Sequence, residues 1–457
     1  LDYYIIYKKL LLNEKNMPKK SHKIELLAPA GSPEKMLYAF AYGADAIYAG
    51  IPEVSMRARI NSFTEKSLIE ATEIAHKNGK KIFVTLNIYA HNYHLPTVES
   101  HLKFLKKIKV DAVIVSDPGI IMLVKKHAPE MEIHLSTQAN TTNWQAAKFW
   151  YDLGVKRIVL AREVTLEDIK EIKKHVPKLE LEYFVHGAMC MSYSGRCILS
   201  KWMSGKSANL GDCTQPCRWG YKEKIQISND KLQTKERGCN YEKDAKEYKT
   251  MELEEAQKRH GMELEEDSHG TYFFNSKDLN LISHIQELVE AGVTSLKIEG
   301  RNKSVYYVAS VVRAYRHVVD QIETKKPLAE IKKAQKWSAK ELDKMANRGY
   351  TKGFLLGMEP EHAFLGTPDN SPYQFVGEVL EGNGKEITVK VHNALYVGDS
   401  LEIVTPKMNQ PAKILRIYQE DGEEVQSAHG GHGKMYKLLI NKKDVEAYSL
   451  VRKVLGK

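Results

Sequence analysis

Between Ile24 and Gly300 the chain repeats one pattern. A short apolar, β-branched run is followed by a polar or glycine-containing turn and then by an amphipathic helix. Eight strand candidates stand out: IELLA (24–28), DAIYAG (45–50), KIFVTLN (81–87), DAVIVS (111–116), EIHLS (132–136), RIVLA (157–161), LEYFVH (181–186) and SLKIEG (295–300). Nearly continuous apolar strands are buried on both faces, as in a parallel sheet wrapped by helices. The intervening stretches, such as PEKMLYAFAYG, SLIEATEIAHKNG and LEDIKEIKKHVP, carry the helical period and several end in Gly or a Lys/His turn. Eight near-equal units favour closure into a TIM-type (β/α)8 barrel over a doubly wound open sheet.

Closure has a chemical consequence, because such barrels carry their chemistry at the C-terminal ends of the strands. Those ends are polar here: Asn87, Ser116, Asp117, Ser136 to Gln138, Arg162, Glu163, His186, Lys297, Glu299 and Arg301. Helix capping accounts for Ser116, Asp117 and Ser136. Arg162, His186, Lys297 and Arg301 directed at one mouth would make a carboxylate or phosphate site, with Asn87 and Gln138 as further substrate contacts. The plainer alternative is that these cations pair with Glu163 and Glu299 and only fill the mouth, the site then resting on Arg57 and Arg59.

At the end of the seventh strand candidate begins HGAMCMSYSGRCILSKWMSGKSANLGDCTQPCRW (186–219), which holds four of the five cysteines. Six residues separate Cys190 from Cys197, fifteen separate Cys197 from Cys213, and three separate Cys213 from Cys217. Thiolates are soft ligands, and four of them converging will hold zinc or an iron–sulfur cluster. Structural zinc sites show two tight pairs, whereas only Cys213 and Cys217 form one here, so the spacing suits iron–sulfur better. Cys239 is the competing fourth ligand. His186 adjoins this loop and is the candidate for proton transfer or for orienting the reacting carbon.

The expected organisation is an N-terminal extension (1–22) outside the fold, a barrel (23–320) with a cysteine-rich insertion (187–275), a basic helical linker (321–370) and a small β-barrel domain (371–457). Met17 followed by PKKSHK reads as a natural start. Within the insertion, KIQISN and TYFFNSKDL are expected to pair as a hairpin, and the charged run between them is a solvated helix or loop. Period-two runs from Phe375 onward (QFVGEVLEG, EITVKVHN, DSLEIVTP, AKILRIYQ, MYKLLINK) give about five strands. His429 and His432 in the SAHGGHGK link are read as loop residues.

The net charge of +10 points to an acidic partner, with nucleic acid leading. Lys332, Lys333 and Lys336, interleaved with Trp337, Tyr350 and Phe354, are the candidate nucleic-acid contacts; an ordinary exposed helix is the alternative. No apolar run reaches the ~20 residues that span a bilayer, so no membrane partner is expected and the expected compartment is the cytoplasm. There is no HExxH motif and no nucleophile elbow.

The stretch His186 to Cys197 resembles the signature of the collagenase-like peptidase family of unknown catalytic type. LLAPAGSPEKM, MRARINSF, VSDPGIIMLV, HLSTQAN, NSKDL and SLKIEGRNKS further resemble blocks of one branch, the prephenate-dependent tRNA hydroxylation proteins. The resemblance implies conversion of the tRNA wobble uridine to 5-hydroxyuridine, with prephenate as co-substrate, dependence on the iron–sulfur assembly machinery, and a four-iron four-sulfur cluster on Cys190, Cys197, Cys213 and Cys217. Prephenate is a dicarboxylate, for which Arg162 and Arg301 are the best-suited donors. Related branches imply two alternatives, a ribosomal RNA hydroxylase and a peptidase.

Overall fold

The computed structural model describes residues 23–51, 55, 62–190, 192–194, 196–197, 199–204, 206, 213–214, 251–254, 261–264, 266–267, 270–271, 276–358, 371–431 and 433–455. Cys217, Cys239, Arg57, Arg59, His432 and the KIQISN run lie outside them.

Strands β1 (Glu25–Pro29), β2 (Ala46–Gly50), β3 (Lys81–Leu86), β4 (Ala112–Val115), β5 (Glu132–Leu135), β6 (Arg157–Val159) and β7 (Glu180–Ala188) pair in parallel in chain order. Strand β8 (Val293–Ile298) pairs in parallel with both β7 and β1, which closes the eight-stranded barrel. Most helices between strands start where a side chain caps them. Ser32 caps α1 (Pro33–Ala41), a Thr64/Ser67 capping box opens α2 (Glu65–Lys77), and Asp117 caps α4 (Pro118–His127), which follows α3 (Leu95–Ile108). Asn143 caps α5 (Trp144–Asp152) and a Thr165/Asp168 box opens α6 (Leu166–His175). Each cap satisfies a backbone N–H that the first helical turn leaves without a partner. Ser116 caps no helix, since Asp117 performs that task, and Ser136 makes no side-chain cap.

After β7 come α7 (Leu199–Ser204) and α8 (Ile285–Glu290), and after β8 the long α9 (Val305–Glu323) covers the barrel. The expected hairpin of KIQISN with TYFFNSKDL lies largely outside the described residues; of the NSKDL block, the end that is a strand belongs to the barrel sheet. Its Asp278–Asn280 strand pairs antiparallel with His186–Ala188 and in parallel with Tyr350–Thr351. The segment expected as a linker is docked instead. Helix α10 (Leu328–Leu342) buries Ile331, Ala334, Ser338 and Leu342, a stripe at helical spacing, and Ser338 Oγ donates to Ala314 O on α9 at 2.8 Å. Trp337 is taken up by His317 and Arg313 of α9, so it does not serve an outer surface.

The C-terminal domain is an antiparallel barrel of six strands: β9 (Tyr373–Asn383), β10 (Glu386–Val391), β11 (Ser400–Val404), β12 (Asn409–Tyr418), β13 (Met435–Ile440) and β14 (Leu450–Val454). The β11–β12 pairing closes it. The sixth strand, LVRKV, escapes a pattern reading because it buries an arginine, Arg452, in the middle of the strand.

Candidate functional site

The barrel interior is charged. Glu182 on β7 and Lys297 on β8 face each other across a 2.6 Å ion pair, and both are buried. Burial lowers the Lys297 pKa while Glu182 opposes that fall. Toward the N-terminal end, Arg157 binds Glu25, Glu180 and Glu182. His134 lies beside them, kept neutral by burial and then by Arg157. The partner of Lys297 is therefore a strand residue inside the barrel, which the sequence pattern did not mark as polar.

Above this pair two aromatic rings carry three cations. Arg162 lies 4.1 Å from the Phe184 ring centre, and Lys297 lies 5.6 Å from Phe184 and 4.3 Å from Tyr48. Arg301 lies 5.8 Å from Tyr48, and its Nη1 donates to Ser55 Oγ and Thr85 Oγ1, each at 3.1 Å. Three of the four cationic candidates thus share one floor. Gly31 permits this arrangement, because a Cβ there would sit 2.1 Å from Arg301 O. Next to the floor, Asn87 Nδ2 donates to Gln138 Oε1 at 2.6 Å and Gln138 Nε2 returns to Asn87 O at 2.7 Å. Ser136 Oγ adds a bond to Gln138 Oε1 at 2.8 Å.

The ends of β4 to β6 hold polar atoms that find no hydrogen bond among the described residues: Ser116 Oγ, Asn140 Oδ1, Thr141 Oγ1 and Glu163 Oε2. Buried polar groups normally have partners, so these suit a polar ligand. Asn140 and Thr141 were missed from sequence. The signal available in the sequence was the polar HLSTQAN block, whose Asn140 takes a left-handed conformation at φ 50°.

His186 is not brought to this floor. The β7–β8 register slips between Phe184 and His186, which breaks the in–out alternation. The imidazole is enclosed by Tyr307, Tyr315 and Tyr350, with ring centres 5.9, 5.6 and 5.7 Å away. Burial lowers its pKa to about 4, so it is neutral at neutral pH. Gly187 follows at φ 110°, where a Cβ would meet Glu299 O at 2.8 Å. The expected proton-transfer role therefore lacks access to the mouth.

The cysteine loop is fastened to the end of β6. Ser194 N donates to Glu163 Oε1 at 2.9 Å, and Arg162 N donates to Ser194 Oγ at 3.1 Å. Cys190 and Cys197 share a hydrogen bond, which holds the Cys197 thiol at about 5 with help from Ser192 and the N–H groups of Leu199 and Ser200. The same bond, and then desolvation, pushes the Cys190 thiol up. The hydrogen bond thus makes one thiol of the pair more acidic at the expense of the other. Cys213 precedes Thr214, whose N–H donates to Ser200 Oγ at 3.0 Å and whose hydroxyl lies 2.9 Å from Ser204 Oγ on α7. Cys190 and Cys197 are thus two adjacent soft donors, and Cys213 is tied to the neighbouring helix through Thr214. Among the described residues no three His, Cys, Asp or Glu converge closely enough to hold a single metal ion. Cys217 falls outside that description. Lys332, Lys333 and Lys336 are exposed on the outer face of α10. No helix among the described residues is long and apolar enough to cross a membrane.

Two family models match the chain: peptidase family U32 over residues 31–364, and the peptidase family U32 C-terminal domain over residues 371–452. The chain is 41% identical over 429 residues to tRNA hydroxylation protein P of Haemophilus influenzae, a match covering 90% of this chain and 92% of that protein. It is 43% identical over 430 residues to tRNA hydroxylation protein P of Escherichia coli, covering 89% and 92%. A more distant relative, the 23S rRNA 5-hydroxycytidine synthase of Escherichia coli, is 32% identical over 397 residues, covering 85% of this chain and 53% of that protein.

Proposed function

The chain belongs to peptidase family U32, and from that membership we propose that it works in tRNA hydroxylation, taking part in the prephenate-dependent 5-hydroxylation of the wobble uridine. The observation that carries this reading is the identity above 40%, across about nine-tenths of both chains, with two proteins named for tRNA hydroxylation. The mouth suits an anionic small molecule. Stacking on Phe184 engages the face of the Arg162 guanidinium and leaves its in-plane N–H donors for a carboxylate. Arg301, held by Ser55 and Thr85, is the second donor, and the Lys297–Glu182 pair forms a neutral base beneath them. Asn87 and Gln138 fix the wall, while Asn140 and Thr141 offer hydrogen bonds to hydroxyl groups on the substrate.

An iron–sulfur cluster on Cys190, Cys197, Cys213 and Cys217 would supply one-electron chemistry beside this mouth. The iron–sulfur assembly machinery is then a necessary partner, and the cytoplasm, where tRNA is modified, is the compartment.

The family's peptidase name has less support from the site. A cysteine peptidase needs a thiol next to a base. Cys190 is hydrogen-bonded to Cys197, and His186 is closed in by tyrosines.

Mass spectrometry of RNA nucleosides from a deletion strain tests the function. Wobble 5-hydroxyuridine and its derivatives are expected to vanish from tRNA. Wild-type protein should restore them, and a strain unable to make prephenate should lack them as well. Restoration by Arg162→Lys or Arg301→Lys should be poor, because lysine cannot form the bidentate contact. Unchanged tRNA nucleosides would refute the reading. If 5-hydroxycytidine were instead lost from 23S rRNA, the ribosomal alternative would replace it.

A further inference from the structure

The loop after β3 carries an aromatic ladder that plays no part in the barrel core. His91, Asn92 and Tyr93 are exposed, and Tyr93 has 69% of its surface in water. The His91 and Tyr93 rings lie 5.6 Å apart and within 4° of parallel. Tyr93 and His94 are closer still, at 4.0 Å. The His91 backbone N–H donates to His94 Nδ1 at 2.9 Å, so Nδ1 is an acceptor and the ring proton is on Nε2. Burial and then His91 lower the His94 pKa, which favours this neutral ring. His91 and His94 are themselves 5.9 Å apart, so the three rings form a preformed cluster in which the Tyr93 ring is presented to solvent.

Its position is informative. The loop follows a strand end at the same face of the barrel as the cysteine loop. The two loops are neighbours at that face: the Arg196 charge opposes the rise that burial imposes on the Tyr89 phenol. Arg196 is exposed, and Tyr193 beside it is 52% exposed. Aromatic faces and a guanidinium therefore rim the mouth next to the Cys190–Cys197 pair. Such faces take flat rings regardless of base identity, and a cation among them tolerates phosphate. Unpaired bases can occupy them, whereas bases in a duplex already stack on each other.

We propose that the His91–Tyr93–His94 ladder, with Tyr193 and Arg196 beside it, is a stacking platform for unpaired nucleotides of an RNA loop. It holds the loop while one nucleotide enters the barrel mouth. This inference rests on the tRNA reading above and adds the surface that recognises the loop.

The test is binding of the full-length protein to two labelled RNAs, an unmodified anticodon hairpin and a blunt duplex with the same number of phosphates. Tyr93 is exposed, so its replacement should leave the fold intact. Tyr93→Ala is expected to weaken hairpin binding roughly fivefold to hundredfold. Duplex affinity and the salt slope should stay as in the wild type, because no phosphate contact is removed. Tyr93→Trp should restore hairpin binding. Wild-type hairpin affinity in Tyr93→Ala would overturn the proposal, as would an equal loss on hairpin and duplex. If that variant instead lost self-association in sedimentation while keeping hairpin affinity, the ladder would be a contact between copies of this chain and the proposal would fail. The nucleoside experiment separates these failures from failure of the tRNA reading. A deletion strain lacking 5-hydroxyuridine keeps that reading even if the ladder is wrong.

Discussion

Cys190 and Cys197 show how much a single side chain's meaning depends on its neighbour. Each alone would be an ordinary thiol, yet the hydrogen bond between them lowers the pKa of Cys197 and raises that of Cys190, beside Arg162. A thiolate is the form that binds iron. Replacing Cys190, Cys197, Cys213 or Cys217 by Ala is expected to lower iron content and visible absorption of the purified protein along with tRNA modification. Cys239→Ala should leave all three unchanged. Iron lost in Cys239→Ala but kept in Cys217→Ala would reassign the fourth ligand. At this scale the sequence was informative about residue type and poor about direction. Lys297 and Arg301 were legible as polar residues at a strand end, but the Glu182 partner inside β7 and the turning of His186 toward α9 were not. Both depend on strand register, and one irregular residue pair in β7 reverses what alternation predicts.

Helix α10 illustrates the same limit at the scale of an element. Its lysines were readable, and Lys332, Lys333 and Lys336 are exposed as binding to RNA requires. Its aromatic neighbours were assigned to the same surface, but Trp337 packs on α9 and Tyr350 packs on His186. A helical stripe and an interleaved aromatic run overlap in sequence, and only the packing partner distinguishes them. The lysines lead to a separate expectation. Replacing all three by Ala should weaken tRNA binding and flatten its salt dependence, by roughly 0.7 to 0.9 in the log–log slope for each phosphate no longer neutralised. Fluorescence anisotropy across a salt series measures both. An unchanged slope and affinity would remove α10 from the RNA interface.

Across the whole molecule the barrel and the C-terminal domain are joined by buried polar contacts. Arg452 on β14 has no solvent exposure and binds Glu341 of α10 at 2.8 Å, Glu402 of β11 and Tyr306 Oη of α9 at 3.1 Å. Arg313 Nη1 donates to Thr405 O at 2.8 Å, and Lys390 reaches Glu34 at 2.8 Å. Leu380, Val404, Tyr448 and Leu450 join the hydrophobic core of the barrel. Glu341 keeps Arg313 and Lys344, and Glu402 keeps Lys344, so Arg452→Ala removes charged hydrogen bonds without stranding a carboxylate and should destabilise the chain by roughly 1.5–3 kcal/mol in denaturant unfolding. A wild-type midpoint would contradict this role for Arg452. Burial raises the Glu341 pKa, but Arg452 and hydrogen bonds from Asn409 and Lys344 outweigh it and hold the carboxyl at about 2. A carboxyl depressed in the folded state stabilises above its ordinary range and loses that contribution as pH falls toward about 2. Acid titration of stability should therefore be shallower in Arg452→Ala than in the wild type.

Period and spacing alone determined the eight strand–helix units, the barrel closure, the strand-end polar residues, the clustering of cysteines and the presence of a second β domain. These are local properties, because burial on both faces of a strand and on one face of a helix imposes a repeat on neighbouring positions. Only the tertiary structure decided that the basic segment docks, that LVRKV is the sixth strand of the second barrel, that Lys297 answers Glu182 and that His186 sits among tyrosines. Each of these joins residues far apart in the chain, and no local repeat records which distant partner a buried charge or ring will meet.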